Sequence, residues 1–320
     1  MKTAVILFNL GGPDSLDAVE PFLRNLFSDP AIIGLPNPLR WLVAKLISSR
    51  RAKTAQAIYG RIGGKSPLRE LTDAQAKALE QALGDGCRTF VAMRYWHPFA
   101  DETAKAVAAY APDKIVLLPL YPHYSKTTTG SSFKDWKRAA AAAGLNKPTA
   151  EIRDYPDHPG YVAAMAAQLR AALDSARQKG RFRLLFSAHG LPKKVIDGGD
   201  PYQAQIERTA AAVIAALGRD AEALDWRVCY QSRVGPLEWI GPPTEDEIKR
   251  AGADGLGLVV LPIAFVSEHS ETLVELDIEY RELAEHHDVP FYIRVPALGT
   301  DAGFIGALAD LVRAALARTA

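Results

Sequence analysis

Two apolar, strand-length runs in this chain end in the same way. Ile115-Val-Leu-Leu-Pro-Leu120 stops on Tyr-Pro-His-Tyr-Ser and a threonine cluster, and Gly257-Leu-Val-Val-Leu-Pro-Ile263 stops on Ala-Phe-Val-Ser and then Glu-Thr. Their prolines, Pro119 and Pro262, lie almost half a chain apart. The spacing reads as an internal duplication: two similar domains rather than one large one.

The rest of the chain fits that frame. Short apolar runs at Ala4–Phe8, Thr89–Met93, Ile115–Leu120, Leu184–Ser187, Trp226–Tyr230, Leu258–Ile263 and Phe291–Val295 have strand length. Between them lie alanine-rich amphipathic segments such as Leu71–Leu83, Thr103–Tyr110, Tyr161–Lys179, Tyr202–Leu217 and Thr272–His286. Strand–helix alternation predicts parallel sheets with right-handed crossovers. The expected fold is α/β, with two similar doubly wound, Rossmann-like domains facing a central cleft. The expected boundaries are 1–152 for the first domain and 153–301 for the second, with a final helix, 302–318, returning to the first.

Composition excludes several classes. The chain is 48% hydrophobic and 23% charged, as soluble globular proteins are. The apolar run after Met1 is too short for a signal-peptide core, and no stretch approaches a membrane span. Cys87 and Cys229 sit in or beside strand-like runs and read as reduced thiols, which fits a cytoplasmic location. Asn9-Leu-Gly-Gly-Pro13 follows the first strand but has neither a Gly-x-Gly-x-x-Gly pattern nor a Walker ending, so a nucleotide site is not expected. Its glycines read instead as room for backbone beside a flat ligand.

The net charge of +1 hides an asymmetry. Between Asp29 and Glu70 there is no acid, but there are Arg40, Lys45, Arg50, Arg51, Lys53, Arg61, Lys65 and Arg69. From Glu268 to Asp288 the acids dominate and Arg281 is the only lysine or arginine. One segment is prepared for an anion and the other for a cation. Within the basic stretch, residues 31–53 are also apolar and carry Trp41, the composition of an interfacial membrane segment.

The candidate chemistry lies in Leu184-Leu-Phe-Ser-Ala-His-Gly-Leu-Pro192 and in the segment from Leu261 to Tyr280. Open α/β sheets bind ligands at the carboxyl ends of their strands. His189 and the carboxylates Glu268 and Glu271, delivered there by two strands, suit proton transfer or a borderline divalent metal. Gly190 reads as a small residue that lets a bulky ligand approach. Glu271, Glu275 and Glu279 recur every four residues and would form a row up one helix face. Glu275, Glu279 and His269 are the candidate relay for protons or metal, and the competing reading is a solvated acidic face.

Phe186-Ser-Ala-His-Gly-Leu-Pro192, Tyr230-Gln-Ser-Arg-Val-Gly-Pro236 with Trp239, and Pro262-Ile-Ala-Phe-Val-Ser-Glu-His-Ser-Glu-Thr-Leu273 resemble the ferrochelatase family, which inserts ferrous iron into a porphyrin. The likeness continues through Asn9–Pro13, Gly63–Pro67, Met93–Tyr95 and Tyr121–Ser132, nearly the whole chain. The resemblance implies a lyase that makes protohaem from Fe²⁺ and protoporphyrin IX with release of two protons, as the last step of haem biosynthesis. It implies His189 and Glu271 as catalytic residues and iron ligands jointly. It further implies porphyrin contacts at Arg50, Arg51, Tyr59, Ser66, Arg94, Tyr95 and Trp239, and a hydrophobic lip over the porphyrin at 31–47. Leu298-Gly299 departs from the family pattern, and no role is assigned there.

The alternatives are a coproporphyrin III ferrochelatase, a serine hydrolase using Ser187 or Ser267, and a non-catalytic haem or metal carrier. No Gly-x-Ser-x-Gly elbow supports the hydrolase. The expected partners are porphyrin and iron as substrates, with no nucleic acid. A monomer is expected, touching the inner face of the membrane peripherally through 31–53. No cofactor is expected. Iron–sulfur clusters usually need four thiolates; the chain has two cysteines and ends at Ala320 after a helical pattern.

Overall fold

The computed structural model describes residues 2–233 and 235–318. Two compact units form, one from the residues up to Asp154 together with the chain from Leu308 onward, the other from Tyr155 to Ala307. In chain order the first holds β1 (Thr3–Asn9), α1 (Val19–Ser28), α2 (Leu39–Gly60), α3 (Leu68–Leu83), β2 (Cys87–Met93), α4 (Ala100–Tyr110), β3 (Lys114–Pro119), a π-helical turn (Lys126–Gly130), α5 (Ser131–Ala142) and β4 (Thr149–Glu151). The second holds α6 (Pro159–Arg177), β5 (Phe182–His189), α7 (Lys193–Asp197), α8 (Tyr202–Leu217), a 3₁₀ turn (Gly218–Ala221), β6 (Trp226–Gln231), α9 (Thr244–Ala253), β7 (Gly257–Pro262), a π-helix (Glu271–Glu279), α10 (Tyr280–His286) and β8 (Tyr292–Arg294). The last helix, α11 (Ala302–Arg318), starts in the second unit and ends in the first.

Each unit carries one parallel four-stranded sheet, and the two sheets have the same order: β2-β1-β3-β4 and β6-β5-β7-β8. The duplication extends to single residues. Pro119 pairs with Phe8, and Pro262 with Ser187, at the ends of the corresponding strand pairs. Each of these prolines is followed by a π-helical segment.

Burial explains why these runs are strands. All of β1 and β7 is buried, as expected for central parallel strands covered on both faces. In the first unit Phe8 meets Phe133 and Trp136 edge-on, with ring centroids 5.4 and 6.0 Å away, which seats α5 on the sheet. In the second, Leu185, Leu258 and Val260 pack against Leu276 and Tyr280. Each fully buried aliphatic side chain contributes about 1.5–3 kcal/mol, so the helical segment after β7 is held by its apolar face and its acids lie elsewhere.

That segment differs from the continuous helix expected over Thr272–His286. It begins one residue earlier and is π-helical to Glu279, becoming α-helical only at Tyr280. The π form bonds i to i+5 and often marks functional sites; an apolar pattern does not distinguish it from an α-helix. The three-residue β4 was not anticipated, because a strand that short has no readable alternation.

Candidate active site

In each sheet the chain moves to one side after its first strand and then crosses to the other. In the second unit this switch point lies between the ends of β5 and β7, where open α/β sheets bind ligands. His189 is the last residue of β5 and Glu271 opens the π-helix after β7. The His189 carbonyl accepts the Tyr202 hydroxyl at 3.0 Å, which pins the strand end. Gly190 also answers to the protein's own backbone. A Cβ there would lie 2.9 Å from the Gln231 carbonyl oxygen and 3.3 Å from the Trp239 ring, so its bareness serves the protein's own backbone. Its N–H donates to that same carbonyl at 2.8 Å.

His189 Nδ1 is 2.9 Å from Glu271 Oε2. With the carboxylate ionised, Nδ1 carries the proton, and the neutral ring keeps its lone pair on Nε2. Nε2 has no hydrogen-bond partner among the described residues. The His189 side chain is 38% exposed, open to a ligand. Burial lowers the His189 pKa, but the Glu271 charge, their hydrogen bond and Glu275 outweigh it and raise it above the usual imidazole value. Burial also opposes ionisation of Glu271, yet His189, His269 and Ser232 together hold its pKa down to about 2.

Glu275 is the counterpart. Burial and the neighbouring Glu271 charge push its pKa up to about 7, against the opposing effect of Ser232. Two carboxylates one helical step apart are thereby separated: one stays ionised and the other holds a proton near neutrality. Ser232 joins them, its hydroxyl 2.5 Å from Glu275 Oε2 and 3.2 Å from Glu271 Oε2. Its backbone N–H donates to Glu275 Oε1 at 2.8 Å. Gln231 and the Tyr280 hydroxyl complete the Glu275 shell at 3.3 and 3.1 Å. Ser232 has φ +62°, a left-handed conformation uncommon outside glycine and found at strained, functional positions. The described residues contain no cluster of three or more His, Cys, Asp or Glu side chains placed to hold a metal ion.

The whole chain carries further evidence of kinship. The family model for ferrochelatase matches residues 2–316. This chain belongs to the ferrochelatase family. A ferrochelatase of Phenylobacterium zucineum is 57% identical over all of this chain and 93% of its own length. One from Caulobacter vibrioides is 56% identical over 98% of this chain and 90% of its own. A Wolbachia ferrochelatase is 51% identical, covering 97% and 98% respectively. Among solved structures, SirB from Bacillus subtilis with Fe³⁺ aligns over 100% of this chain and 97% of its own at a TM-score of 0.60 and 13% identity, a likeness of fold.

The other candidate residues are distributed as follows. Trp239 bridges Pro192 and lies beside Gly190, in the same unit as the pair. His269 is buried with its Nε2 3.9 Å from Glu271 Oε2 and its ring against Phe265; burial lowers its pKa. Glu279 is exposed at the end of the π-helix. In the first unit Arg50 and Arg51 are exposed on α2, with Arg51 5.8 Å over the Phe27 ring. Tyr59 and Ser66 are buried, and Ser66 fills the space that a side chain on Gly12 would need. Arg94 and Tyr95 converge on the buried Asp29, each at 2.8 Å, and Ser131 also donates to it.

Ser187, one of the two nucleophiles of the hydrolase alternative, is fully buried, donates to Gln231 at 2.7 Å and lies 3.0 Å from Thr244 Oγ1. No histidine reaches it among the described residues. Ser232, Gln231 and Tyr280 were the residues without an assigned role. The first two lie inside the Tyr230–Pro236 motif at the end of β6, a strand end on the same sheet edge as His189.

Proposed function

We propose that this chain is a lyase that inserts Fe²⁺ into protoporphyrin IX, releasing two protons, as the last step of haem biosynthesis. The observation that carries the reading is the His189–Glu271 pair at the switch point of the second sheet, in a chain of this family. His189 Nε2 takes a pyrrole proton, and the imidazolium that forms is stabilised by the ionised Glu271. With Nε2 deprotonated, the same two side chains offer a nitrogen and an oxygen to incoming iron, a donor set suited to a borderline metal. Protons leave through Ser232, whose hydroxyl lies between Glu271 and Glu275, and onward along the row to the exposed Glu279.

In the first unit Arg50 and Arg51 suit porphyrin propionates, a pairing that guanidinium groups make well; in the second, Trp239 offers an apolar ring beside Gly190. The lip also suits a membrane surface. Leu39, Trp41, Leu42 and Leu46 are 49–54% exposed on α2, and Lys45 lies 5.3 Å over the Trp41 ring. An exposed apolar patch rimmed by cations fits the interface of an anionic bilayer. No described helix is long and apolar enough to cross a membrane.

Anaerobic insertion followed by absorbance, with protoporphyrin IX and coproporphyrin III side by side, tests the reading. Turnover should favour protoporphyrin. A clear preference for coproporphyrin would change the substrate, and no insertion into either would reject the activity.

A further inference from the structure

Glu271 stands on a segment gripped by a cation of the edge strand, while Arg281 also lies 3.9 Å from Asp277. Arg294, the last residue of β8, is 10% exposed. Its Nε donates to Asp277 Oδ1 at 2.9 Å and its Nη2 to Asp277 Oδ2, a two-pronged grip on the π-helix six residues after Glu271. Its Nη1 donates to Glu268 Oε1 at 2.5 Å, three residues before Glu271. Glu268 in turn accepts the Ala297 backbone N–H at 2.9 Å. One guanidinium therefore ties both flanks of the catalytic carboxylate to the edge strand. Arginine suits this task because its fork is planar and always charged.

The duplicated first unit provides an internal comparison. Arg294 pairs with Val260, two residues before Pro262; the equivalent partner of Leu117, two before Pro119, is Glu151. Glu151 pairs only at the surface, 2.8 Å from Lys137, which is 62% exposed. Where the third strand leads to no catalytic carboxylate, the position carries an exposed ion pair. Where it leads to Glu271, it carries a nearly buried clamp on two acids.

We propose that Arg294 is a positioning residue for metal insertion, holding the 268–277 segment so that Glu271 stays in register with His189. This rests on the functional reading above. Arg294 does not touch the pair itself, so its loss should move kcat and leave porphyrin recognition alone.

The test uses Arg294→Met, which keeps the straight side chain and removes the fork, with Arg294→Lys as the conservative rescue. Insertion kinetics should show kcat at least ten-fold lower in Arg294→Met with porphyrin KM within two-fold of the parent, and part of the rate returned in Arg294→Lys. Amide hydrogen exchange should speed up over 268–277 and not over β5. Parental kcat in a folded Arg294→Met, or unchanged protection of 268–277, would overturn the proposal. If Arg294→Met does not fold, Asp277→Asn breaks one arm and is read by the same two outcomes. An inactive parent would reject the functional reading, while hydrogen exchange still decides the clamp.

Discussion

His189 and Glu271, 82 positions apart in the chain, meet through a 2.9 Å contact between Nδ1 and Oε2. The geometry couples a base that can face a ligand through Nε2 to a carboxylate that stays ionised. A second carboxylate, Glu275, hangs from the first through Ser232 and holds its proton near pH 7. The site thus separates two acidic groups by environment, one as fixed charge and one as proton acceptor and donor.

Glu275 gives a pH signature in stability. Its folded pKa of about 7 lies above its ordinary 4.5, so the folded state binds the proton more tightly than the unfolded chain does. That contribution is complete below about pH 4.5 and is lost as pH rises through about 7. Glu275→Gln has nothing to lose over this range. Its melting temperature should gain on the parent's between pH 5 and pH 8, and a gap independent of pH would contradict the assignment. Turnover of the same variant should fall, with porphyrin affinity unchanged.

The sequence made some of this site legible and hid the rest for physical reasons. His189 and Glu271 could be found because each follows an apolar strand, and the strand-helix alternation fixes which end of a sheet they reach. The four-residue recurrence of Glu271 and Glu275 was visible, but the π-helical backbone beneath it was not, since the buried positions Thr272, Val274 and Leu276 suit either helix. Ser232 was invisible as a bridge because its position depends on a left-handed φ at a strand end. The Gln231 carbonyl behind Gly190 was hidden as well, because only the fold brings it there. Arg294 carries no signal in the sequence, because only the fold brings Glu268 and Asp277 to it.

Gly190→Ala should be costly. The new methyl would sit 2.9 Å from the Gln231 carbonyl oxygen, and backbone cannot swing aside as a flexible side chain does. Overpacking of this kind costs about 1–3 kcal/mol. Urea unfolding should show the midpoint falling, along with insertion rate, because His189 is the adjacent residue. A midpoint equal to the parent's would mean that β6 yields freely.

Arg94→Ala should destabilise the first unit. Asp29 is 4% exposed and would lose the Arg94 cation, keeping the Tyr95 and Ser131 hydroxyls and the Ala31 N–H as partners. Leaving a buried charge uncompensated costs about 3–5 kcal/mol. Arg94→Ala with Asp29→Asn should recover part of the loss. If the double variant is as unstable as the sum of the single ones, the pair is not coupled.

The exposed face of α2 should bind lipid. Trp41→Ser with Leu42→Ser is expected to abolish sedimentation with anionic vesicles. Arg50→Ala with Arg51→Ala should weaken both vesicle binding and porphyrin affinity. Salt should screen the vesicle effect, since surface attraction decays over roughly 8 Å at physiological ionic strength. Absence of vesicle binding by the parent at low salt would remove the membrane half of this prediction.

The central claim is that the His189–Glu271 pair performs the insertion. Its most direct test is the anaerobic rate of Fe²⁺ insertion into protoporphyrin IX by His189→Ala, with porphyrin binding measured on the same sample by fluorescence quenching. The pair's role requires a rate at least ~10²-fold below the parent's, as expected for loss of an essential base, with the porphyrin still bound. A rate within a few-fold of the parent's would show that the proton and the metal are handled elsewhere.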